Sequence, residues 1–129
     1  MVRLACAFWC RLAGCHLFCC ITISMAWCVA GRGRYDDYRF LSGLDKPVAD
    51  FLKTRSNVEE WLSHVFELID TSVENYLQRN FVELHVAFGC TGGQHRSVYC
   101  AQQLAAHLQT KYGVKVLLTH TQKNNWVTT

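Results

Sequence analysis

Between Asn57 and Asn80 apolar side chains recur three and four residues apart: Val58, Trp61, Leu62, Val65, Leu68, Ile69, Val73, Tyr76 and Leu77. That spacing lines one face of an α-helix and predicts a long amphipathic helix over 57–79, with Trp61 on its core face. Ser56-Asn57-Val58-Glu59 has the spacing of a capping box. The period then changes. Val82, Leu84, Val86 and Phe88 alternate with Glu83, His85 and Ala87, which predicts a strand. From Ser97 to Tyr112 the helical period returns, with Val98, Leu104, Ala105 and Leu108 turned inward and Gly113 as the stop. Val114 to Thr119, rich in Val and Leu, predicts a second strand. Upstream, Asp45-Lys46-Pro47 opens a shorter helix through Lys53, with Asp45 placed to cap it and Pro47 in its first turn. Helix, strand, turn, helix, strand predict an α/β fold. The expected form is a small three-layer, Rossmann-like arrangement whose two strands run parallel and are joined by a right-handed crossover.

The first thirty residues follow no such pattern. They hold six of the eight cysteines, Cys6, Cys10, Cys15, Cys19, Cys20 and Cys28. Cys6 and Cys10, like Cys15 and Cys19, stand four apart and would share a helix face. No paired C-x-x-C spacing of a zinc site is present, so no metal is expected. Leu12 to Ala30 is a run of nineteen residues without Asp, Glu, Lys or Arg, just long enough to span a bilayer. Residues 1–30 therefore read as a signal or membrane anchor, as a packed helix of the domain, or as a segment foreign to the working protein. Composition changes abruptly at Gly31-Arg32-Gly33-Arg34. Residues 121–129 are polar and are expected to fray.

The chemistry gathers in one turn, Gly89-Cys90-Thr91-Gly92-Gly93-Gln94-His95-Arg96-Ser97-Val98, between the first strand and the helix after it. Glycines let backbone N–H groups converge, and the helix start adds its positive dipole end. Arg96 can grip a phosphate with two parallel bonds, Thr91 and Ser97 offer hydroxyls, and Gln94 and His95 add donors. Cys90, Thr91, Gly92, Gly93, Gln94, His95, Arg96 and Ser97 are thus candidate ligands for a phosphorylated small molecule. The competing reading is a tight turn whose polar groups satisfy one another. Neither the P-loop nor the dinucleotide spacing is present. Cys90-x-x-Gly93-x-x-Arg96-Ser97 does have the spacing of the signature loop of cysteine-dependent phosphatases, with Cys90 as nucleophile and Arg96 on the phosphate oxygens. Such an enzyme needs a carboxylic acid for the leaving group. No Asp follows the turn, and Asp70, the nearest upstream, is on the long helix. Recognition without turnover is the expectation. The length of 129 residues suits one domain, and the net charge of +3 permits an acidic partner without requiring one.

The string GCTGGQHRSVY resembles the C-terminal domain of the RapZ family of RNase adapter proteins, and most closely its Bacteroidetes-like members. Ser42-Gly43-Leu44-Asp45-Lys46-Pro47-Val48 and Ala101-Gln102-Gln103-Leu104-Ala105 extend the match to about Tyr35–His120. The resemblance implies a non-catalytic domain that binds an amino-sugar phosphate, glucosamine-6-phosphate, and in some members small regulatory RNAs. It places Thr91, Gly92 and Arg96 on the phosphate. Lys111, Lys115 and Lys123 are the late basic residues where the family contacts RNA. It implies no cofactor, a cytoplasmic setting unless residues 12–30 anchor the chain, and leaves an oligomer open. Family domains begin with a strand upstream of Tyr35. The apolar segment stands in its place here, so an N-terminally truncated domain with an unpaired sheet edge is expected.

Overall fold

The computed structural model of the chain describes residues 2–7, 20–24, 38–90, 93–121 and 123–126. Four strands, β1 (Val2–Ala7), β2 (Cys20–Ser24), β3 (Leu84–Gly89) and β4 (Val116–His120), form one sheet in the order β2-β3-β1-β4. Every pairing is parallel: Val2 stands beside both Leu84 and Val116, and Ile21 beside Val86. Among the described residues three helices accompany it, α1 (Lys46–Arg55), α2 (Val58–Gln78) and α3 (Arg96–Tyr112). The fold is mixed α/β. α3 packs across β1, β3 and β4, α2 packs on α3, and α1 packs on α2.

The elements form for the reasons their periods give. Val58, Leu62, Val65, Ile69 and Val73 of α2 are buried, as are Val98, Leu104, Ala105 and Leu108 of α3 and Leu84, Val86 and Phe88 of β3. All of these but Val98 join one core, with Trp61 half-buried at its edge near Phe88. Gly113 ends α3 in the left-handed region at φ 62°, and its N–H donates to the Gln109 carbonyl. Asn80 takes the same region at φ 55° beyond α2.

Several expectations are corrected. The two expected strands, now β3 and β4, are parallel but not neighbours, because β1 lies between them. The gap expected from a missing strand is filled: Val2–Ala7 pairs with β3 on one side and β4 on the other, and among the described strands the sheet's edges are β2 and β4. A short stretch of mostly small and apolar residues suits a strand flanked on both sides as well as it suits a helix, and periodicity alone does not separate them. Cys6 accordingly stands in β1 and Cys20 in β2, not on shared helix faces; Cys10, Cys15, Cys19 and Cys28 lie outside the described residues. Cys20–Ser24 is a strand of the sheet, so Leu12–Ala30 is not one continuous helix, and no described helix is long and apolar enough to cross a membrane.

At finer scale, Leu68 and Leu77 are more than half exposed although they keep the apolar period, and Val82 precedes β3 in the open. Neither expected cap is made. Asp45 sends its carboxylate to the Ser42 backbone N–H (2.6 Å) and hydroxyl (3.1 Å), and Glu59 accepts from the Tyr99 hydroxyl at 2.6 Å. The tail is not frayed over 123–126: Lys123–Asn125 forms a single 3-10 turn, and Trp126 docks on the turn before α3.

Candidate functional site

The parallel sheet decides where a ligand can sit. In open α/β sheets the binding crevice lies beyond the carboxyl ends of the strands, where the order of the chain reverses. Here β1 leads to β2 on one side of it, while β3 leads to β4 on the other. β1 and β3 are neighbours, and their carboxyl ends meet as the pair Ala7–Gly89. The glycine turn leaves the sheet at that reversal.

Within the turn, Gly93 occupies the left-handed region at φ 63°, which a residue without Cβ adopts freely. Its N–H donates to the Cys90 sulfur at 3.2 Å, and the same sulfur shares a hydrogen bond of 3.1 Å with the buried Ser97 hydroxyl. Arg96 opens α3 and is half-buried. The His95 side chain makes no capping hydrogen bond at this helix start. Thr91 and Gly92 lie outside the described residues.

Gln94 and His95 are placed differently from the expectation that they face a ligand. The Gln94 amide nitrogen donates to the carbonyls of Leu41 (2.7 Å) and Arg39 (3.3 Å), and its side chain is buried. His95 Nε2–H donates to the Tyr38 carbonyl at 3.0 Å. Both side chains strap the turn to the segment 38–41 that precedes α1. That segment continues into Gly43, whose N–H donates to the Gln94 carbonyl at 2.9 Å. A Cβ on Gly43 would stand 2.1 Å from the His95 carbonyl oxygen and 2.6 Å from the Tyr99 nitrogen. The two sequence motifs, 42–48 and 89–98, are thus two sides of one structure.

The remaining candidates are dispersed. Lys111 is bound to Asp70 at 2.6 Å and lies over the Tyr112 ring. Lys115 precedes β4 and Lys123 follows it, and both are exposed. A five-residue strand keeps them roughly 17 Å or more apart, too far for one compact basic patch. Asp70 also holds His107 at 2.8 Å, and His107 stacks on Phe66 at 4.3 Å. Burial alone would raise the Asp70 pKa, but the hydrogen bonds from Lys111 and His107 outweigh it and hold the carboxyl below its ordinary value. This carboxylate faces the C-terminal part of α3, on the order of 15 Å or more along the helix from Arg96, so it is no acid for a reaction at the turn. Among the described residues no group of three His, Cys, Asp or Glu is placed to hold a metal ion.

Two residues at the turn gave no warning in sequence. Trp126 Nε1–H donates to the Gly93 carbonyl at 3.1 Å. His120, at the end of β4, packs against the Trp126 ring at 5.8 Å, and its Nδ1 is buried without a hydrogen-bond partner. Burial, helped by the charge of Lys123, pulls the His120 pKa down. A lone Trp in a polar tail belongs to no period, so only the fold could bring it here.

Strand order, reversal point and glycine turn define a parallel α/β domain whose glycine turn lies beyond the carboxyl end of β3. The model of the RapZ C-terminal domain matches residues 31–124, and the chain belongs to that family. It is 45% identical over 73 residues to a nucleotide-binding protein of Shewanella halifaxensis (strain HAW-EB4), covering 57% of this chain and 26% of that one. Over 84 residues it is 40% identical to a nucleotide-binding protein of Glaesserella parasuis serovar 5 (strain SH0165), covering 65% and 29%. Over 91 residues it is 36% identical to a nucleotide-binding protein of Lactobacillus helveticus (strain DPC 4571), covering 70% and 31%. The matched stretch spans less than a third of the length of these relatives.

Proposed function

We propose that this domain is a regulatory binding module for a phosphorylated small molecule, an amino-sugar phosphate of the glucosamine-6-phosphate type, held at residues 90–97. The observation that carries the reading is the position of the turn: it leaves β3 at the reversal point and runs into the start of α3, which His95 does not cap, with Arg96 in the first turn. Phosphate there meets backbone N–H groups, a helix dipole and a guanidinium together. Membership of the RapZ C-terminal family and relatives named nucleotide-binding proteins support it. The parallel sheet with α3 across it also fits a Rossmann-like, three-layer arrangement, and a cytoplasmic setting goes with a sugar-phosphate ligand. RNA contact, which the family implies, gains little from the geometry, because Lys111 is taken by Asp70 and Lys115 and Lys123 stand apart; counterion release rewards several phosphates contacted together.

Calorimetry with glucosamine-6-phosphate tests the reading. The parent chain is expected to bind, and Arg96→Ala is expected to bind at least ten-fold more weakly, the scale of a lost charge-assisted pair. Equal binding by both would remove Arg96 from the site. One contact favours a second reading, a thiol phosphatase: the Cys90 sulfur accepts the Gly93 N–H and lies in hydrogen-bond contact with the Ser97 hydroxyl, neighbours that suit a thiolate nucleophile. A phosphate-release assay separates the two, with no turnover expected from either the parent or Cys90→Ser.

A further inference from the structure

Two successive carbonyls of the turn are held from outside it. The Gly93 carbonyl accepts the Trp126 indole N–H at 3.1 Å, and the Gln94 carbonyl accepts the Gly43 N–H at 2.9 Å. All described peptides are trans. In a trans peptide the N–H of the next residue points opposite to the carbonyl. Fixing these two carbonyls therefore turns the N–H groups of Gln94 and His95 to the other side of their peptide planes, away from Trp126 and Gly43. A left-handed residue such as Gly93 at the start of a turn is the backbone setting in which successive N–H groups form an anion-binding nest.

We infer that Trp126 is a positioning residue of the ligand site: its indole N–H sets the Gly93–Gln94 peptide so that the turn presents its N–H groups to the bound phosphate. Of the two anchors, Gly43 belongs to the motif packed under the turn, whereas Trp126 arrives from beyond β4, held by the 3-10 turn Lys123–Asn125 and by its contact with His120. The Trp126 N–H returns to the Lys123 carbonyl at 3.4 Å, which closes this short strap. The ring lies against His120, and the indole N–H reaches the turn. The inference rests on the phosphate reading above and assigns the tail a part in it.

The test uses the full chain labelled with nitrogen-15, glucosamine-6-phosphate as probe, and Trp126→Phe, which keeps a ring against His120 and lacks the donor. The variant is expected to bind three- to ten-fold more weakly, the range of one hydrogen bond, with its thermal midpoint within about 2 °C of the parent's. Its Gln94 amide signal is expected to move in the free protein, and in the parent the Trp126 indole signal is expected to shift as probe is added. Equal affinity of parent and variant overturns the positioning role while leaving the phosphate site in place. Weaker binding that comes with a fallen midpoint and an unmoved Gln94 amide overturns it too, because Trp126 would then be structural only. A parent that does not bind the probe overturns the phosphate reading and this inference with it.

Discussion

Gly43 lacks a side chain where there is no room for one. With the His95 carbonyl oxygen 2.1 Å and the Tyr99 nitrogen 2.6 Å from where a Cβ would stand, backbone rather than a flexible side chain blocks the space. Gly43→Ala must push the 42–45 loop off the start of α3 and break the Gly43–Gln94 hydrogen bond. A loss of about 1–3 kcal/mol in urea unfolding is expected, the usual scale of overpacking, together with weaker ligand binding because the Gln94 carbonyl loses its anchor. Little of this can be read from one sequence. Glycine in Ser42-Gly43-Leu44 reads as a turn residue, and its partner lies fifty residues away. The reverse holds for Gln94 and His95. Their residue types advertise ligand contact, yet the carbonyls of Tyr38, Arg39 and Leu41 claim them. Donor chemistry is legible in a sequence, but which acceptor is near is not.

At the scale of elements, α2 and α3 are joined by an apolar seam with a polar rim. Tyr99 donates to Glu59 and Tyr112 to Glu74, at 2.6 and 2.8 Å. Between them Asp70 takes both His107 and Lys111, with Phe66 stacked on the imidazole. Because its folded pKa lies below the ordinary carboxylate value, Asp70 favours the folded state once it is ionised. That contribution is present above about pH 4 and is lost as pH falls through the lower folded value. Asp70→Asn is expected to cost about 1 kcal/mol at neutral pH, the scale of a partly exposed pair. Its unfolding free energy is also expected to fall less steeply than the parent's between roughly pH 4 and 2. Parallel slopes in denaturant titrations across that range would show that Asp70 does not carry the dependence. The helices themselves were legible, since Val58, Leu62, Val65, Ile69 and Val73 keep a strict helical period and all are buried. Leu68 and Leu77 continue the period into solvent, because a period describes a face and not the width of what covers it.

For the whole molecule, the decisive feature is that β1 is central. Val2–Ala7 pairs with β3 and β4 along nearly their full lengths, and Val2 is itself in the core. A chain beginning at Gly31 would lack β1 and β2 and leave β3 and β4 without neighbours. It is expected to lose its cooperative thermal transition by circular dichroism, since two separated strands cannot bridge the gap between them. A transition like that of the full chain would show that the 31–124 match folds without the first strands.

The chain's local order follows from side-chain period and local chemistry: three helices, the strands β3 and β4, the glycine turn between β3 and α3, and the Gly113 stop are each written within a few neighbouring residues. Hydrophobic burial and backbone sterics act over that range, so they leave a readable pattern. Tertiary structure decided what depends on contacts between distant residues. It inserted Val2–Ala7 between β3 and β4, set Gly43 under the turn, and brought Trp126 to the Gly93 carbonyl. Parallel pairing and close backbone approach are made across tens of residues, and a six-residue strand carries too short a pattern to announce its partner.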